Sequence, residues 1–535
     1  MPSARADHAP AGDPRPDPLR ARIVDLEGEV ARLTLRVKDL QQQRWGRKAE
    51  RGVGIAADAP ALSLFAAVDA TLPTSLPEAV SAGPTAATPS SRRAVGAARP
   101  GPKPLDPALP RAVVILPDPP VSERRCPLTG APLVPGFAER LEVLARRAPA
   151  YYVRRYERTV WVSPAKSAPI ATAWPNDVLP RARVHVSVVA HLAAAHYAEH
   201  LPFYRLEQQL ARTGVALARS TQVALMTRLD ALVAPLVAHL KRAVLDRGYV
   251  HLDATPVDVC DPTRPGRARE ATLWAYRARS ADPAVEGLVW FEYQASKSPA
   301  HPRAVLAAYR GVLQTDGAAG LDTLGSPNGV THVGCWAQAR RRFIQALRLG
   351  ESRAGPYVAQ LDRLFRLDAR ARRIAAARPA HAPRVATWRA RFRVPLAEAL
   401  FARATADGLV LPPKSALGQA VGYLLAQRAP LTRCVTTPGA RLDNNAVEHA
   451  IRPLKLGAKN WRFVGHPDAG PRLANLFTLV ENARQAGVDV EAYLTALLTH
   501  LPDHSVRRLG EWLPRTWQRR DHVAQQAAGA LGLTA

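Results

Sequence analysis

Cysteine is scarce in this chain: its 535 residues include four, at scattered positions. Scattered single cysteines exclude a disulfide framework and favour a reducing compartment such as the cytoplasm. The first residues, MPSARADHAPAGDPRP, lack an apolar stretch, so no signal peptide is predicted. Long hydrophobic runs are absent too, and because none approaches about 18 uninterrupted apolar residues, we expect no membrane span.

Acidic residues are outnumbered by basic ones. The chain has 45 Asp and Glu against 73 Lys and Arg, and its formal net charge is +28. Basic side chains that neutralise DNA phosphates release condensed counterions, so this excess predicts a nucleic-acid partner and an affinity that falls with salt. The alternative, for part of the excess, is a basic surface with no binding role. The length exceeds that of one compact core, so several domains are expected.

The middle of the chain carries three acidic residues in a recognisable order of elements. Segments rich in Val, Leu, Trp and Tyr predict strands, and the segments between them helices, in the order strand 249–261, strand 270–277, strand 287–294, helix 301–309, strand 311–315, strand 328–335 and helix 336–347. This order resembles the ribonuclease H fold, which has one carboxylate on the first strand, one at the end of the fourth and one on a later helix. Asp253, Asp316 and Glu448 fill these three places.

Three carboxylates suit the cleavage of a phosphodiester bond. Two divalent ions about 3.5–4 Å apart can activate the nucleophile and hold the leaving group. Mg²⁺ or Mn²⁺ takes hard oxygen ligands, and Asp and Glu are ionised when the metal arrives. Each acid alone can also be an ordinary solvated charge or, for Asp316 before Gly317, part of a turn. Together, Asp253, Asp316 and Glu448 predict a site for two metal ions.

Five segments, in this order, are similar to segments of the insertion sequence 66 family of transposases: HYAEHLPFYRLEQQLARTGVALARST, HLDATPV, QTDGAAG, GCWAQARRRF and DNNAVEHAIRPLKLGAKNWRF. The resemblance implies a DDE-type transposase with Asp253, Asp316 and Glu448 as its catalytic triad. It also implies double-stranded DNA, both the element ends and the target, as the partner, accessory proteins of the element as further partners, and a place in the cytoplasm at the nucleoid.

Four positions depart from the family pattern. Ala254 stands where the family usually has Glu, Gln338 replaces His, His449 replaces Arg, and Ala458 replaces a basic residue. None removes a triad acid. They motivate one alternative, an impaired copy that acts only as a DNA-binding protein. A second alternative is a ribonuclease H-like nuclease that cuts without strand transfer.

The segment around Glu448 predicts a helix with a DNA-facing side. Glu448, Arg452 and Lys455 lie at i, i+4 and i+7, hence on one face, which favours phosphate held beside the metals. A simple i,i+4 ion pair is the alternative. Asn444 and Asn445 are expected to cap this helix. The residues predicted to contact DNA are Arg452, Lys455, Lys459, Asn460, Trp461, Arg340 and Arg341.

Near the N-terminus the apolar residues Ile23, Leu26, Val30, Leu33, Val37 and Leu40 follow a heptad pattern. β-Branched residues at a and Leu at d favour a parallel two-stranded coiled coil, and therefore a homo-oligomer. Packing against another part of the chain is the alternative.

The fold class expected is an α/β multidomain protein with a ribonuclease H-like core and a helical insertion. The predicted domains are an N-terminal tail and coiled coil (1–50), a flexible linker (51–105), a small β-rich unit (106–170), a helical DNA-binding region (171–245), the first part of the core (246–350), the insertion (351–440), the third-acid helix with a DNA-facing turn (441–490) and a C-terminal helical tail (491–535).

The small β-rich unit corresponds to a place where the family carries a four-cysteine zinc knuckle. Here Cys126 remains, while Thr129, Ser163 and Lys166 stand at the other positions. Structural zinc needs four sulfur or nitrogen ligands, so no zinc is expected. Apolar packing is expected to hold the unit together, through Val113, Val114, Tyr152, Val160 and Trp161.

The helical region carries four histidines, at positions 185, 191, 196 and 200. They are expected to be hydrogen-bonded or exposed rather than metal ligands, because carboxylates and cysteines at ligand spacing are missing. The stretch from Gln208 to Leu225, interrupted at Gly214, resembles a helix-turn-helix in length.

Overall fold

The computed structural model describes residues 26, 29, 105, 107, 109–126, 129–147, 150–162, 170–175, 184–280, 285–317, 320–321, 329–378, 380 and 382–518. The elements given below belong to one compact unit, Met1–Arg32 together with Leu105–Ala535. The second unit, Leu33–Pro104, lies outside the described residues. The predicted coiled coil, apart from Leu26, and nearly all of the predicted linker also lie outside them.

The first sheet has three strands, β1 (Arg111–Ile115), β2 (Val134–Arg147) and β3 (Ala150–Val162). β3 lies in the centre, parallel to β1 and antiparallel to β2. Its buried side chains include Val153, Tyr156 and Val160, and Cys126 is buried as well. Val160 thus packs as predicted, whereas Val113 is 52% exposed and the prediction for it is wrong.

Two of the four residues named in the zinc prediction belong to the described part of the chain. Cys126 is a buried, reduced cysteine, and Thr129 is exposed on the neighbouring turn. Ser163 and Lys166 lie outside the described residues. The expectation of a zinc-free unit therefore stays a prediction.

The next region is helical, as predicted: α1 (Val186–Ala193), a π-helical turn (Ala194–Ala198), α2 (Phe203–Arg212) and α3 (Arg219–Leu245). Gly214 has φ +79° in the turn between α2 and α3, a conformation that favours glycine. Hydrogen bonds engage three of the histidines: His185 caps α1, His191 meets Glu491, and Nδ1 of His196 donates to the carbonyl of Leu201.

In the part of the chain that the structure describes, α3 is the one helix long and apolar enough to cross a membrane by length and composition. Within its most apolar window, 39% is buried inside the fold, and Leu229, Val233 and Leu236 are fully buried. A helix packed in a protein core passes the same test, so this finding is weak evidence for a membrane span.

The second sheet holds five strands: β4 (Tyr249–Cys260), β5 (Ala268–Ala278), β6 (Val289–Gln294), β7 (Gly311–Gln314) and β8 (Val330–Val333). The spatial order is β6-β5-β4-β7-β8. β4, β5 and β6 are antiparallel neighbours, while β7 and β8 run parallel to β4. All five predicted strands are confirmed, with shifted ends.

The helix between β6 and β7 is shorter than predicted. α4 spans Ala300–Val305, and the chain then turns into β7 at Gly311, which has φ +127°. A Cβ at Gly311 would lie 2.5 Å from the carbonyl oxygen of Gly248, so only glycine fits there.

Eight further α-helices follow in the described chain: α5 (Trp336–Arg348), α6 (Gly355–Ala377), α7 (Ala382–Gly408), α8 (Ala416–Ala426), α9 (Arg428–Thr436), α10 (Asn445–Trp461), α11 (Ala469–Gln485) and α12 (Val490–His500). α10 packs on β4 and β5, and α11 packs on β6. Residues 351–440 are helical in their described part, as predicted for the insertion.

A buried ion cluster joins α6 to α7. Asp368 on α6 is 1% exposed and pairs with Arg389 of α7 at 2.7 Å and with Arg372 at 2.9 Å. Cys434 is fully buried in this region, whereas Trp388 is 42% exposed.

Candidate active site

Asp253 lies half-buried on β4, the central strand of the five-stranded sheet. Its carboxylate accepts a hydrogen bond from the amide of Ala254 at 2.8 Å. Burial raises the pKa of Asp253 to about 7, and the negative charges of Asp316 and Glu448 act in the same direction. The Ala254 amide and Lys455 lower this pKa by smaller effects. Two acids that are distant in sequence, Asp316 and Glu448, therefore act on the carboxyl group of Asp253.

Asp316 follows the end of β7, the strand next to β4. The turn after it uses Gly317 at φ +78°, and the hydroxyl of Tyr423 donates to the carbonyl oxygen of Asp316 at 2.9 Å. Asp253 and Asp316 both line a cavity of about 300 Å³. Lys297, exposed after β6, lines it as well.

Glu448 lies in the first turn of α10, where the positive end of a helix favours a carboxylate. Arg341 of α5 donates to both its oxygens, at 3.3 and 3.4 Å. Arg341 also donates to Oε1 of Gln338 at 2.8 Å. One of the residues that depart from the family pattern thus belongs to the hydrogen-bond network of the third acid.

A buried asparagine fixes the start of α10 against β4. Asn444 is fully buried; its Nδ2 donates to the carbonyl of Leu252 at 2.9 Å, and its Oδ1 lies 2.9 Å from Nδ1 of His251. Burial lowers the pKa of His251 to about 4, so the ring is neutral. The prediction that the Asn444 side chain caps the helix is wrong, because that side chain bonds to the strand instead. Asp443 accepts from the amide of Asn445 at 3.3 Å.

A second buried network joins β4, β7 and the segment before α10. The Tyr249 hydroxyl donates to Oε1 of Gln314 at 2.6 Å. Nε2 of Gln314 donates to the carbonyl of Arg441 at 2.9 Å, and the amide of Arg441 donates back to the Tyr249 oxygen at 3.1 Å. β4, β7 and the segment before α10 are therefore held in one arrangement, and each of them carries or precedes one of the acids.

The donor set is chemically suited to a hard divalent cation, since it consists of carboxylates. Among the described residues, however, no three His, Cys, Asp or Glu side chains form a group that could hold a metal ion as they stand. The third acid, Glu448, forms an ion pair with Arg341. Asp253 and Asp316 already share a cavity wall.

The predicted DNA contacts fall into three groups. Arg340 donates to Asp362 of α6 at 2.6 Å and so links α5 to α6, while Arg452 and Lys455 are exposed on α10 beside Glu448. Lys459, Asn460 and Trp461, at the other end of α10, line a second cavity of about 820 Å³.

Several residues of the site were missed from the sequence. Lys297, in the segment KSPAHPR after β6, follows a strand end as Asp316 does, and that placement was a usable signal. Tyr249 and Gln314 carried none, because their partners lie up to 192 positions away.

Comparison with known proteins places this site within one family. A model described as "Transposase IS66 family" matches residues 181–472, "IS66 C-terminal element" matches 478–514, and "Transposase C of IS166 homeodomain" matches 32–114. The first match includes all three acids.

Three curated proteins of Sinorhizobium fredii, each described as an uncharacterized protein, are similar to this chain. y4jD is 28% identical over 71% of this chain and 73% of its own length. y4qI is 28% identical over 61% of this chain and 62% of its own length. y4hP is 25% identical over 92% of this chain and 89% of its own length. Because a family model covers more than half of the chain, the predicted resemblance is confirmed, and the chain belongs to the IS66 family of transposases.

Proposed function

We propose that this transposase is of the DDE type, with Asp253, Asp316 and Glu448 as its catalytic carboxylates. It would bind the ends of its insertion sequence, cut a strand at each end and join the freed 3′-hydroxyl to target DNA. The observation that carries the proposal is the convergence of three acids from three separate elements. Two of them line one cavity, and the charge of the third reaches Asp253.

The sheet supports a ribonuclease H-like core for this chemistry. Three antiparallel strands followed by two parallel ones, with the first acid on the central strand, is the arrangement expected of that fold. In this proposal residues 246–350 and 441–490 form the core, and 351–440 form an insertion that supports α10. Residues 171–245 form the helical DNA-binding region.

Two Mg²⁺ or Mn²⁺ ions are the cofactors that fit the donor set. Carboxylate oxygens are the ligands such ions prefer. Burial and then the negative charges of Asp316 and Glu448 raise the pKa of Asp253, and a bound cation would offset both effects. When bound, the ions activate the attacking hydroxyl and stabilise the leaving oxygen. Asp253 and Asp316 would hold them from the cavity wall, and Glu448 would exchange Arg341 for them.

The basic residues around the acids would position the substrate. Arg341, once released by Glu448, has two guanidinium edges for a phosphate. Lys297 on the cavity and Lys455 on α10 supply further positive charge on either side. These cations would orient the scissile phosphate toward the carboxylates.

The test is Mg²⁺-dependent nicking of a plasmid that carries the coding region of this chain with its flanking DNA. Asp253→Asn, Asp316→Asn and Glu448→Gln should each lower nicking more than about 100-fold, since even outer-shell changes cost about 10–100-fold. DNA affinity should stay the same or rise, because a negative charge facing phosphate is removed.

Asp258→Asn is the matched control, an exposed aspartate on the same strand, and should nick as wild type does. Joined products distinguish a transposase from a nuclease without strand transfer. A Glu448→Gln protein that still nicks would remove Glu448 from the triad, and Asp443 would be the next candidate.

A second candidate function is an impaired copy that only binds DNA. The observation that favours it is the bond of Gln338, which replaces a family histidine, to the arginine that holds Glu448. If wild type binds the plasmid without nicking it, and Gln338→His with His449→Arg restores nicking, this copy is impaired.

A further inference from the structure

The cavity of about 820 Å³ lies where α10 ends, opposite the end that carries Glu448. We propose that it binds one unpaired nucleotide of a DNA strand, the base stacked on aromatic rings and the phosphates held by cations. DNA as the ligand rests on the proposed function. The assignment of this cavity rests on its own lining.

Aromatic side chains supply stacking surfaces in this cavity. Trp461 is half-buried at the end of α10, and Tyr204 on α2 is 43% exposed. Phe463, two residues after Trp461, is 48% exposed. Rings on a rim open to solvent are available to a base, because every base presents a π-face to an aromatic side chain.

The charge of the cavity is positive. The cationic lining residues come from four segments: Arg205, Arg219, Lys459, Arg462 and Arg472. Asp and Glu do not occur among the described lining residues. Arg219 pairs with Glu207 at 2.9 Å just outside the cavity, while Lys459 and Arg462 are exposed. Cations beside stacking platforms form the combination that binds single strands.

Backbone strain is concentrated at the same place. Among the described residues, His200 and Arg462 are the two non-glycine residues with positive φ, 65° and 64°. Both adjoin Trp461: a Cβ on Gly457 would lie 2.9 Å from Nδ1 of His200 and 2.9 Å from Nε1 of Trp461. Gly457 therefore leaves the space in which imidazole and indole lie against the helix. Strained residues of this kind cluster at ligand-binding sites.

The size of the cavity selects a nucleotide over a duplex. Pockets of about 300–1,000 Å³ enclose one small ligand, and about 820 Å³ falls in that range. A duplex needs an open groove, so an extruded or single-stranded nucleotide is the form of DNA that can enter.

The cavity is held in the same frame as the acids. The segment after Trp461 pairs with β4, because Val464 and Val259 form a parallel bridge. From Asp253 to Val259, β4 extends about 20 Å at about 3.3 Å per residue. From Glu448 to Trp461, α10 extends about 20 Å at about 1.5 Å per residue. These two lengths place the cavity about 20 Å from the acids.

The experiment measures binding of the full chain to a single-stranded oligonucleotide that contains 2-aminopurine, in EDTA so that no cutting occurs. Trp461→Ala should weaken binding about tenfold and abolish the fluorescence quenching that stacking causes. Tyr204→Ala, at an exposed position, should weaken it in the same direction. Trp461→Phe should retain most of the affinity.

Three comparisons make the result specific. Blunt duplex DNA should bind Trp461→Ala within about twofold of wild type, since phosphate contacts dominate there. An abasic strand of equal length should bind wild type as weakly as it binds Trp461→Ala. Trp388→Ala, which removes another exposed tryptophan on α7, should change nothing.

Unchanged single-strand binding by Trp461→Ala would overturn the proposal, as would an equal loss for single strand, abasic strand and duplex. Nicking by wild type together with unchanged Trp461→Ala binding rejects this cavity and leaves the proposed function standing. If Trp461→Ala loses single-strand binding but the wild-type protein never nicks, the cavity proposal stands and the proposed function is rejected.

Discussion

At the scale of single residues, the burial of Asp253 beside two other carboxylates makes stability depend on pH. The ordinary pKa of an aspartate is 3.8, and burial together with the two neighbouring acids raises the pKa of Asp253 to about 7 in the folded chain. Between these values the folded state binds more protons than the unfolded state. The free energy of unfolding of the metal-free protein therefore falls as pH rises through this window, because the charged carboxylate is destabilised in the fold.

We expect Asp253→Asn to remove this pH dependence of the free energy of unfolding. In EDTA near pH 8, the variant should be more stable than wild type by up to a few kcal/mol, since each pKa unit corresponds to about 1.4 kcal/mol. Near pH 3 the difference should become small, because this pH lies below both pKa values and Asp253 is then mostly protonated in both states. Urea unfolding at the two pH values measures it.

Asp258→Asn again provides the comparison, since this exposed position on the same strand should change the free energy of unfolding by no more than about 0.5 kcal/mol. An Asp253→Asn protein less stable than wild type near pH 8 would contradict the assignment of Asp253 to an acidic cluster.

At the scale of elements, the seating of α10 depends on Asn444. Its two hydrogen bonds reach β4, so Asn444→Ala leaves the Leu252 carbonyl and the His251 ring without partners in a buried place. We expect a loss of about 2–4 kcal/mol in the free energy of unfolding, because each unsatisfied buried group costs about 1–3 kcal/mol. Nicking should fall as well, since the helix carries Glu448.

Asn445→Ala is the neighbouring control. Asn445 is partly exposed at the first helical position, so its loss should stay within about 0.5 kcal/mol. Equal losses for Asn444→Ala and Asn445→Ala, measured by urea unfolding, would show that the helix start and not the bonds to β4 determines the effect.

At the scale of elements, some predictions from the sequence agree with the structure and others do not. The strands were predictable, since alternation and β-branched or aromatic residues are local signals, and two acids at strand positions followed from them. The capping prediction for Asn444 failed because that rule considers neighbours only. The ion pair of Arg341 with Glu448, 107 positions apart, and the partners of Gln314 depend on tertiary packing, for which a single sequence has no signal.

At the scale of the whole molecule, self-association is expected from the N-terminal heptads. Deletion of residues 1–50 should lower the mass measured by sedimentation equilibrium to that of one chain, because the apolar a/d seam is removed. Val30→Asp with Val37→Asp should do the same without shortening the chain. Ala31→Asp, outside the seam, should leave the mass unchanged.

An oligomer that persists after the deletion and after both seam substitutions would show that another surface joins the subunits. The heptads would then pack within their own chain, the alternative that the sequence leaves open.

The hydrogen bonds of Tyr249 and His251 to the segment at the start of α10 span 192 and 193 positions. They can therefore form only late in the synthesis of the chain. A ribosome adds about 5–20 residues per second, so the 132 positions from Asp316 to Glu448 take about 7–26 s. During that interval the nascent chain has two of its acids and none of the helix that completes them. Contacts of such long range also fold slowly. A chain released early by a premature stop would contain the strands of both sheets without α10, so the proposed catalytic site would be complete only once synthesis has nearly ended.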